Sequence, residues 1–184
     1  MGNFARDDSL SSPSRSPNSS VESPGLLFST IPLIEMVNGL NRYYAMLKTF
    51  LVTPGVIRYE DLVQLRRRAA QVDFGTAPFG RFQAQLRLAI ELIRLGRRSE
   101  GFKLLSQVEE RLPILSEAQE TQSTAIVYGL WLALVKASSG NLPAAFETMQ
   151  RLIVLIPDQA IGAKLVTFFQ GINNVPLREV SLTL

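Results

Sequence analysis

The sequence contains neither cysteine nor histidine. Without cysteine the chain can form no disulfide bond, zinc finger, iron–sulfur site or thiol nucleophile. Without histidine it lacks the general base of Ser-His-Asp chemistry and the commonest metal ligand. Of the acidic clusters, Glu117 and Glu120 share one helix face and are expected on a solvated surface, and no glycine-rich phosphate loop or metal-ligand spacing is present. We therefore expect a protein that is not an enzyme and that uses no cofactor.

Long apolar runs are missing as well. The longest extends over eleven residues from Ala125 to Val135 and ends at Lys136, whereas a membrane-spanning helix needs about 20 apolar residues. The first residues include Asp7 and Asp8 and lack the apolar core of a secretory signal. We expect a soluble protein without a membrane span, located in the cytoplasm or, as an open alternative, in an organelle lumen.

Basic residues are in excess, with 19 Lys and Arg against 16 Asp and Glu, which gives a net charge of +3. The excess lies in residues 26–113, where 13 bases minus 8 acids give +5. A positive surface attracts acidic partners or a phosphate backbone, but an excess of this size is also typical of a solvated helix face. The arginines that cluster in this half of the chain, here called the basic patch, are Arg66, Arg67, Arg68, Arg97 and Arg98.

The two ends of the chain differ in composition from its middle. Residues 1–25 consist mainly of Ser, Pro, Asn and Asp and contain few large apolar side chains, so they cannot offset the entropy cost of ordering. We expect this tail to be disordered. Residues 174–184 alternate apolar and polar side chains near the end of the chain, which predicts an extended tail.

Helical periodicity begins near Ile31. Apolar side chains recur every three or four residues up to Leu51, which predicts one amphipathic helix. Pro54-Gly55 ends it, and a second helix follows. We expect the two helices to pack as an antiparallel hairpin, which together with the loop after it makes up residues 26–80.

The remainder of the chain shows five further helical segments. They extend over residues 81–95, 98–112, 117–138, 142–156 and 158–172. Glycine and proline separate them, as expected at helix ends, at Gly96, Pro113, Gly140 and Pro157. This order of elements predicts an all-α fold class.

An internal repeat is present in this second half. When Gly96–Pro113 is aligned with Gly140–Pro157, an offset of 44 residues, glycine pairs with glycine, proline with proline and Phe102 with Phe146. This pattern resembles the tetratricopeptide repeat (TPR), a 34-residue helix–turn–helix unit. The resemblance implies that residues 81–173 form two such repeats and a capping helix, so that antiparallel helical hairpins stack in a short TPR-like solenoid.

Small side chains mark the expected helix crossings. In the repeat that the sequence resembles, the two helices of a unit, A and B, meet at small residues. The matching pairs here are Ala89 with Gly101 and Ala133 with Ala145, and larger side chains there would separate the helices. The alternative is a plain helical bundle in which the glycines and prolines agree by chance.

The resemblance also implies a groove, because the A helices of this family line a concave surface that holds a peptide or a helix. The residues at the matching positions are Leu86, Ile90, Ile93, Arg94, Val127, Leu130, Trp131 and Leu134. They are mostly aliphatic, and the asparagines with which some members clamp a carboxylate are missing, so we expect an apolar helix or extended segment as the ligand. The N-terminal hairpin, the C-terminal tail or a partner would cover this groove, and Trp131 would be a core residue or a binding anchor.

These features favour a non-enzymatic protein–protein interaction module, such as an adaptor, an assembly factor or a chaperone-like subunit of a larger complex. Its partner would be another protein that supplies an apolar helix or extended segment. The alternative is nucleic-acid binding through the arginine-rich N-terminal hairpin and the basic patch. That alternative lacks basic residues at regular intervals from one repeat to the next.

Overall fold

The computed structural model of the chain describes residues 31–54, 57–70, 80–112 and 122–174. Within these ranges the regular secondary structure is helical throughout, which confirms the all-α fold class. The helices are α1 (Leu33–Asn38), α2 (Leu40–Val52), α3 (Tyr59–Ala70), α4 (Gly80–Arg94), α5 (Arg98–Glu109), α6 (Gln122–Ser138), α7 (Leu142–Ile153) and α8 (Gln159–Asn174). The predicted disordered tail of residues 1–25 and the predicted extended tail after Asn174 lie outside the described residues.

Gly96 and Gly140 end the two equivalent helices α4 and α6 in the same way. Each has a positive φ, +78° and +89° respectively, a conformation that glycine adopts without steric cost. In both copies the backbone N–H after the glycine donates to the carbonyl five residues back, at 2.8 Å after Gly96 and at 2.9 Å after Gly140. This closure of a helix end is the Schellman motif. The glycines that were expected to stop these helices therefore do so by one shared local geometry.

Two helical hairpins form the body of the molecule, because α4 packs on α5 and α6 packs on α7. The crossing in the first hairpin is tight: a Cβ added at Gly101 would lie 2.9 Å from the carbonyl oxygen of Ala89 and 2.6 Å from Cγ1 of Ile93. In the second hairpin Ala133 and Ala145 are both completely buried. A small side chain therefore lies where the two helices of the first hairpin meet, whereas the contact between Ala133 and Ala145 in the second stays a prediction.

Replacing Gly101 with alanine is expected to lower the free energy of unfolding by about 1–3 kcal/mol, because the added methyl group would press against the backbone of α4. This loss outweighs the gain in helix propensity of roughly 1 kcal/mol. Gly171→Ala in α8 is the matched control, since a Cβ there has no neighbour within 4 Å. Chemical denaturation followed by circular dichroism compares the two variants, and equal stability would contradict the close crossing.

The N-terminal helices do not form the predicted hairpin. The expected single helix is interrupted at Gly39, which has φ −96° and ψ 2° between α1 and α2. α2 packs on α6 and α4, whereas α3 packs on α4 through a separate small cluster that includes Leu65 and Leu88. The predicted pairing of the first helix with the second is therefore wrong, because each of them finds its apolar partner on later parts of the chain.

The main hydrophobic core is built around α6. Every residue of this helix from Ala125 to Ala137 is buried, and the helix packs against α1, α2, α5 and α7. α1 also contacts α8, and α2 also contacts α4. The two N-terminal helices thus lie across one face of the molecule that α4, α6 and α8 form together. We call this face the groove and the two helices that lie in it the α1–α2 segment.

Candidate helix-binding groove

The structure places the seven apolar groove residues in the main core that they share with the α1–α2 segment, and Ile93 also lies against Gly101 of α5. The seven apolar ones are at most 7% exposed: Leu86, Ile90, Ile93, Val127, Leu130, Trp131 and Leu134. In this conformation they are core residues and offer no open surface to a partner. Of the three coverings that the sequence left open, the first part of the N-terminal region is the one that fills the groove.

The α1–α2 segment presents an amphipathic face to the groove. Met36, Leu40, Tyr43 and Leu47 are all buried in the main core, and they follow one another at spacings of four, three and four residues. Ala45, which lies on the opposite face of α2, is exposed. The apolar face thus continues from Met36 on α1 to Leu47 on α2 across the break at Gly39, with side chains at i, i+4, i+7 and i+11, a spacing like that of helices bound in apolar grooves.

Aromatic contacts join the α1–α2 segment to the groove. The ring centroids of Tyr43 and Trp131 are 4.9 Å apart at an interplanar angle of 60°. Tyr44 meets the ring of Phe168 on α8 edge-on at 6.0 Å. Partial burial raises the pKa of the Tyr44 hydroxyl above its ordinary value. Tilted and edge-on pairs of this kind stabilise packing beyond the area they bury, so the aromatic side chains fix the position of α2.

Arg94 holds the C-terminal end of α2 in place. Its guanidinium carbon lies 3.8 Å from the centre of the Phe50 ring, and its Nε donates to the carbonyl oxygen of Thr53 at 3.3 Å. Its NH1 group donates to both carboxylate oxygens of Glu91, at 3.2 and 3.1 Å. Arg94, which the sequence placed among the partner-binding residues, here contacts the chain's own N-terminal helix. Further along the segment Lys164 donates to the side chain of Asn38 at 3.3 Å.

Two arginines of the basic patch, Arg97 and Arg98, form hydrogen bonds with other groups of the protein. Arg97 forms a bidentate pair with Glu100 at 2.5 Å, and Arg98 donates to the carbonyl oxygen of Ser139 at 2.6 Å. The hydrogen bond from Arg97, together with the charges of Arg97 and Arg66, holds the pKa of the Glu100 carboxyl below its ordinary value. The structure therefore brings α3 and the start of α5 close together. Arg66, Arg67 and Arg68 are all exposed.

The structure contains a buried polar cluster that the sequence did not predict. The ammonium group of Lys136, a residue that is 4% exposed, lies 2.5 Å from Oε2 of Glu109 and 2.9 Å from Oγ1 of Thr148. The Thr148 hydroxyl is also 2.5 Å from Oε1 of Glu109. We call these three side chains the Lys136 cluster; they join α5, α6 and α7. A lysine at the end of the longest apolar run is the sequence feature that points to such a buried charge.

The described residues show no arrangement suited to metal or bilayer binding. In the four described ranges no three acidic side chains come together in a way that could hold a metal ion. None of the helices α1–α8 has a stretch both long and apolar enough to cross a bilayer. The chemistry of the described part of the groove is therefore that of apolar and aromatic packing, with arginine and lysine contacts at its edges.

Comparisons with known proteins were made at three levels. The chain matches no protein-family model, no curated protein and no solved structure. The likeness to tetratricopeptide repeats thus rests on the glycine, proline and small-residue pattern alone.

Proposed function

We propose that the chain is a non-enzymatic protein–protein interaction module that binds an amphipathic helix of another protein in the groove formed by α4, α6 and α8. The observation that carries this proposal is the α1–α2 segment, because an amphipathic helix already occupies the groove with apolar side chains at helical spacing. Helix-in-groove recognition uses the same spacing of anchors. An adaptor or an assembly factor is the class of protein that uses such a groove.

The geometry favours the groove over nucleic-acid binding at the basic patch. All five arginines of the basic patch are exposed, but Arg97 is paired with Glu100 and Arg98 donates to the carbonyl oxygen of Ser139. Phosphate-backbone binding depends on several Lys or Arg side chains on one surface, which neutralise phosphates and release counterions from the nucleic acid. The groove, by contrast, has seven buried apolar side chains on α4 and α6, and the amphipathic α1–α2 segment packs in it.

The full-length variant Leu47→Asp tests the proposal. Leu47 is completely buried in the groove, so a carboxylate there is expected to drive the α1–α2 segment out of it while α4–α8 stay packed. The probe is a labelled synthetic peptide of residues 31–54, and binding is measured by fluorescence anisotropy. We expect this variant to bind the peptide at least about tenfold more tightly than the wild type, whose own segment competes at high effective concentration.

Ala45→Asp is the matched control, because Ala45 is exposed on the face of α2 that points away from the groove and the replacement adds the same charge to the same helix. It should bind the peptide as weakly as the wild type does. Circular dichroism shows whether each variant keeps its helices, and Leu47→Ala is the milder replacement if Leu47→Asp unfolds. A variant that stays helical, has a vacated groove and yet binds no peptide would overturn the proposed function.

A further inference from the structure

We infer that the α1–α2 segment is an intramolecular ligand that can leave the groove and be replaced by a partner helix. Arg94 is its latch, meaning the residue that holds the C-terminal end of the segment in place. The partner is an amphipathic helix that runs in the same direction as α2. The inference rests on the proposed function and adds to it the pattern of the partner helix and the residue that controls access. Three features of the described residues carry it: the groove-facing side chains, the arginine at one end, and the weak other end of the segment.

The groove-facing side chains of the α1–α2 segment define the partner's pattern. Apolar residues at i, i+4, i+7 and i+11 correspond to Met36, Leu40, Tyr43 and Leu47. The third of these positions needs an aromatic ring, because Tyr43 packs on Trp131 with ring centroids 4.9 Å apart. A small side chain at that position would forfeit the ring contact with Trp131. The partner is therefore an amphipathic helix with one aromatic side chain at its centre.

Arg94 sets the direction of the bound helix. The Nε–H group of Arg94 can donate a hydrogen bond but cannot accept one. It donates to the carbonyl oxygen of Thr53, just beyond the last turn of α2. A helix C-terminus offers carbonyl groups and partial negative charge, whereas an N-terminus offers N–H groups. Both carboxylate oxygens of Glu91 accept hydrogen bonds from the guanidinium, so Arg94 keeps its position when the bound helix changes. An aromatic ring at i+14, as at Phe50, stacks on it.

The opposite end of the segment is the weaker one. α1 has only six residues, it is separated from α2 by the break at Gly39, and Pro32 at its N-terminus provides no side-chain cap. Its contact through Asn38 and Lys164 is an exposed one, and Ile34 is 50% exposed. Short uncapped helices fray readily. Exchange therefore begins at α1, and release of Phe50 and Thr53 from Arg94 completes it.

Two peptides and one variant test the latch in the full-length chain. The long peptide covers residues 31–54 and includes both Arg94 contacts; the short peptide covers residues 31–49 and lacks Phe50 and Thr53. In Arg94→Ala the intramolecular segment loses its latch, so the short peptide is expected to bind about tenfold more tightly than it binds the wild type. The long peptide should gain little, because it loses the same contacts as the segment with which it competes.

A second variant and a matched control complete the experiment. Phe50→Ala weakens the segment but leaves Arg94 intact, so the long peptide should gain about as much as the short one. Arg97→Ala removes an arginine three residues away that pairs with Glu100, and it should bind both peptides as the wild type does. Circular dichroism confirms that each variant keeps its helices.

The outcomes separate the latch from the groove itself. Equal affinities of the short peptide for the wild type and Arg94→Ala, while Leu47→Asp still binds the long peptide, would overturn the latch and leave the groove function intact. Absence of peptide binding in every helical variant would overturn both. A gain of the long peptide in Arg94→Ala as large as that of the short one would show that Arg94 does not contact the incoming helix.

Discussion

Replacing Trp131 with alanine is expected to lower the free energy of unfolding by about 3–5 kcal/mol, the range for a large aromatic side chain removed from a packed core. Trp131 is 1% exposed and lies on α6, the helix against which α1, α2, α5 and α7 all pack. The cavity would open beneath Tyr43, so the replacement weakens the core and the seating of the α1–α2 segment together. Chemical denaturation followed by circular dichroism measures the loss.

A double-mutant cycle with Tyr43→Leu separates these two effects. If the ring pair holds the segment in the groove, the two replacements should show a coupling free energy of about 0.5–1.5 kcal/mol. Tyr59→Ala is the control, because Tyr59 is 77% exposed at the start of α3, and it should change stability by less than about 0.5 kcal/mol. A loss below about 1 kcal/mol for Trp131→Ala would show that the core does not depend on this side chain.

Replacing Glu109 with alanine is the second change with a large expected effect, a loss of about 3–5 kcal/mol of unfolding free energy. The reason is the position of Lys136, whose ammonium group lies 2.5 Å from the Glu109 carboxylate in a buried site. Without Glu109 this charge keeps one oxygen of Thr148 as a neighbour and lacks a counter-charge at contact distance. Urea denaturation of the purified variant measures the loss.

Two further variants identify the cause of that loss. In the double variant Glu109→Gln with Lys136→Met the buried charge is removed together with its partner, so most of the loss should be recovered. Glu147→Ala breaks the exposed pair between Glu147 and Arg151 on α7 and should cost no more than about 1 kcal/mol. If Glu109→Ala costs no more than Glu147→Ala, the Lys136 cluster does not hold the three helices together.

The Lys136 cluster matters for the groove because it joins the two hairpins beneath it. Glu109 belongs to the hairpin of α4 and α5, whereas Lys136 and Thr148 belong to that of α6 and α7. α4 and α6 both contribute to the groove, so their relative position depends on contacts between the hairpins. A buried and fully paired ionic contact is directional, which apolar packing is not. We expect it to keep the spacing between α4 and α6 constant when the α1–α2 segment leaves.

Helix ends and close crossings could be predicted from the sequence because their causes are local. Gly96 and Gly140 were expected to stop helices, and each does so with a positive φ and the same backbone hydrogen bonds. Gly101 was expected to lie against Ala89, and the carbonyl of Ala89 leaves no room there for a Cβ. Backbone conformation and side-chain size at a single position decide such features, so they need no knowledge of the rest of the chain.

The partner of an amphipathic helix could not be predicted in the same way. The apolar stripe from Met36 to Leu47 shows that α2 has a buried face but not which surface buries it, since hydrophobic burial is not directional. Pairing with the next helix along the chain was the natural expectation, and it is wrong: α2 lies on α6 and α4. The apolar face on which α2 packs exists only after distant segments have come together.

The sequence by itself determined that the chain is helical, where most of its helices end, and that α4 and α5 meet closely at Gly101. The tertiary structure decided that the chain's own N-terminal helices fill the groove, and that Lys136 is buried against Glu109, a residue 27 positions away. The reason is physical: torsion angles and side-chain volumes act within a few residues, whereas burial and charge pairing depend on which segments meet in space.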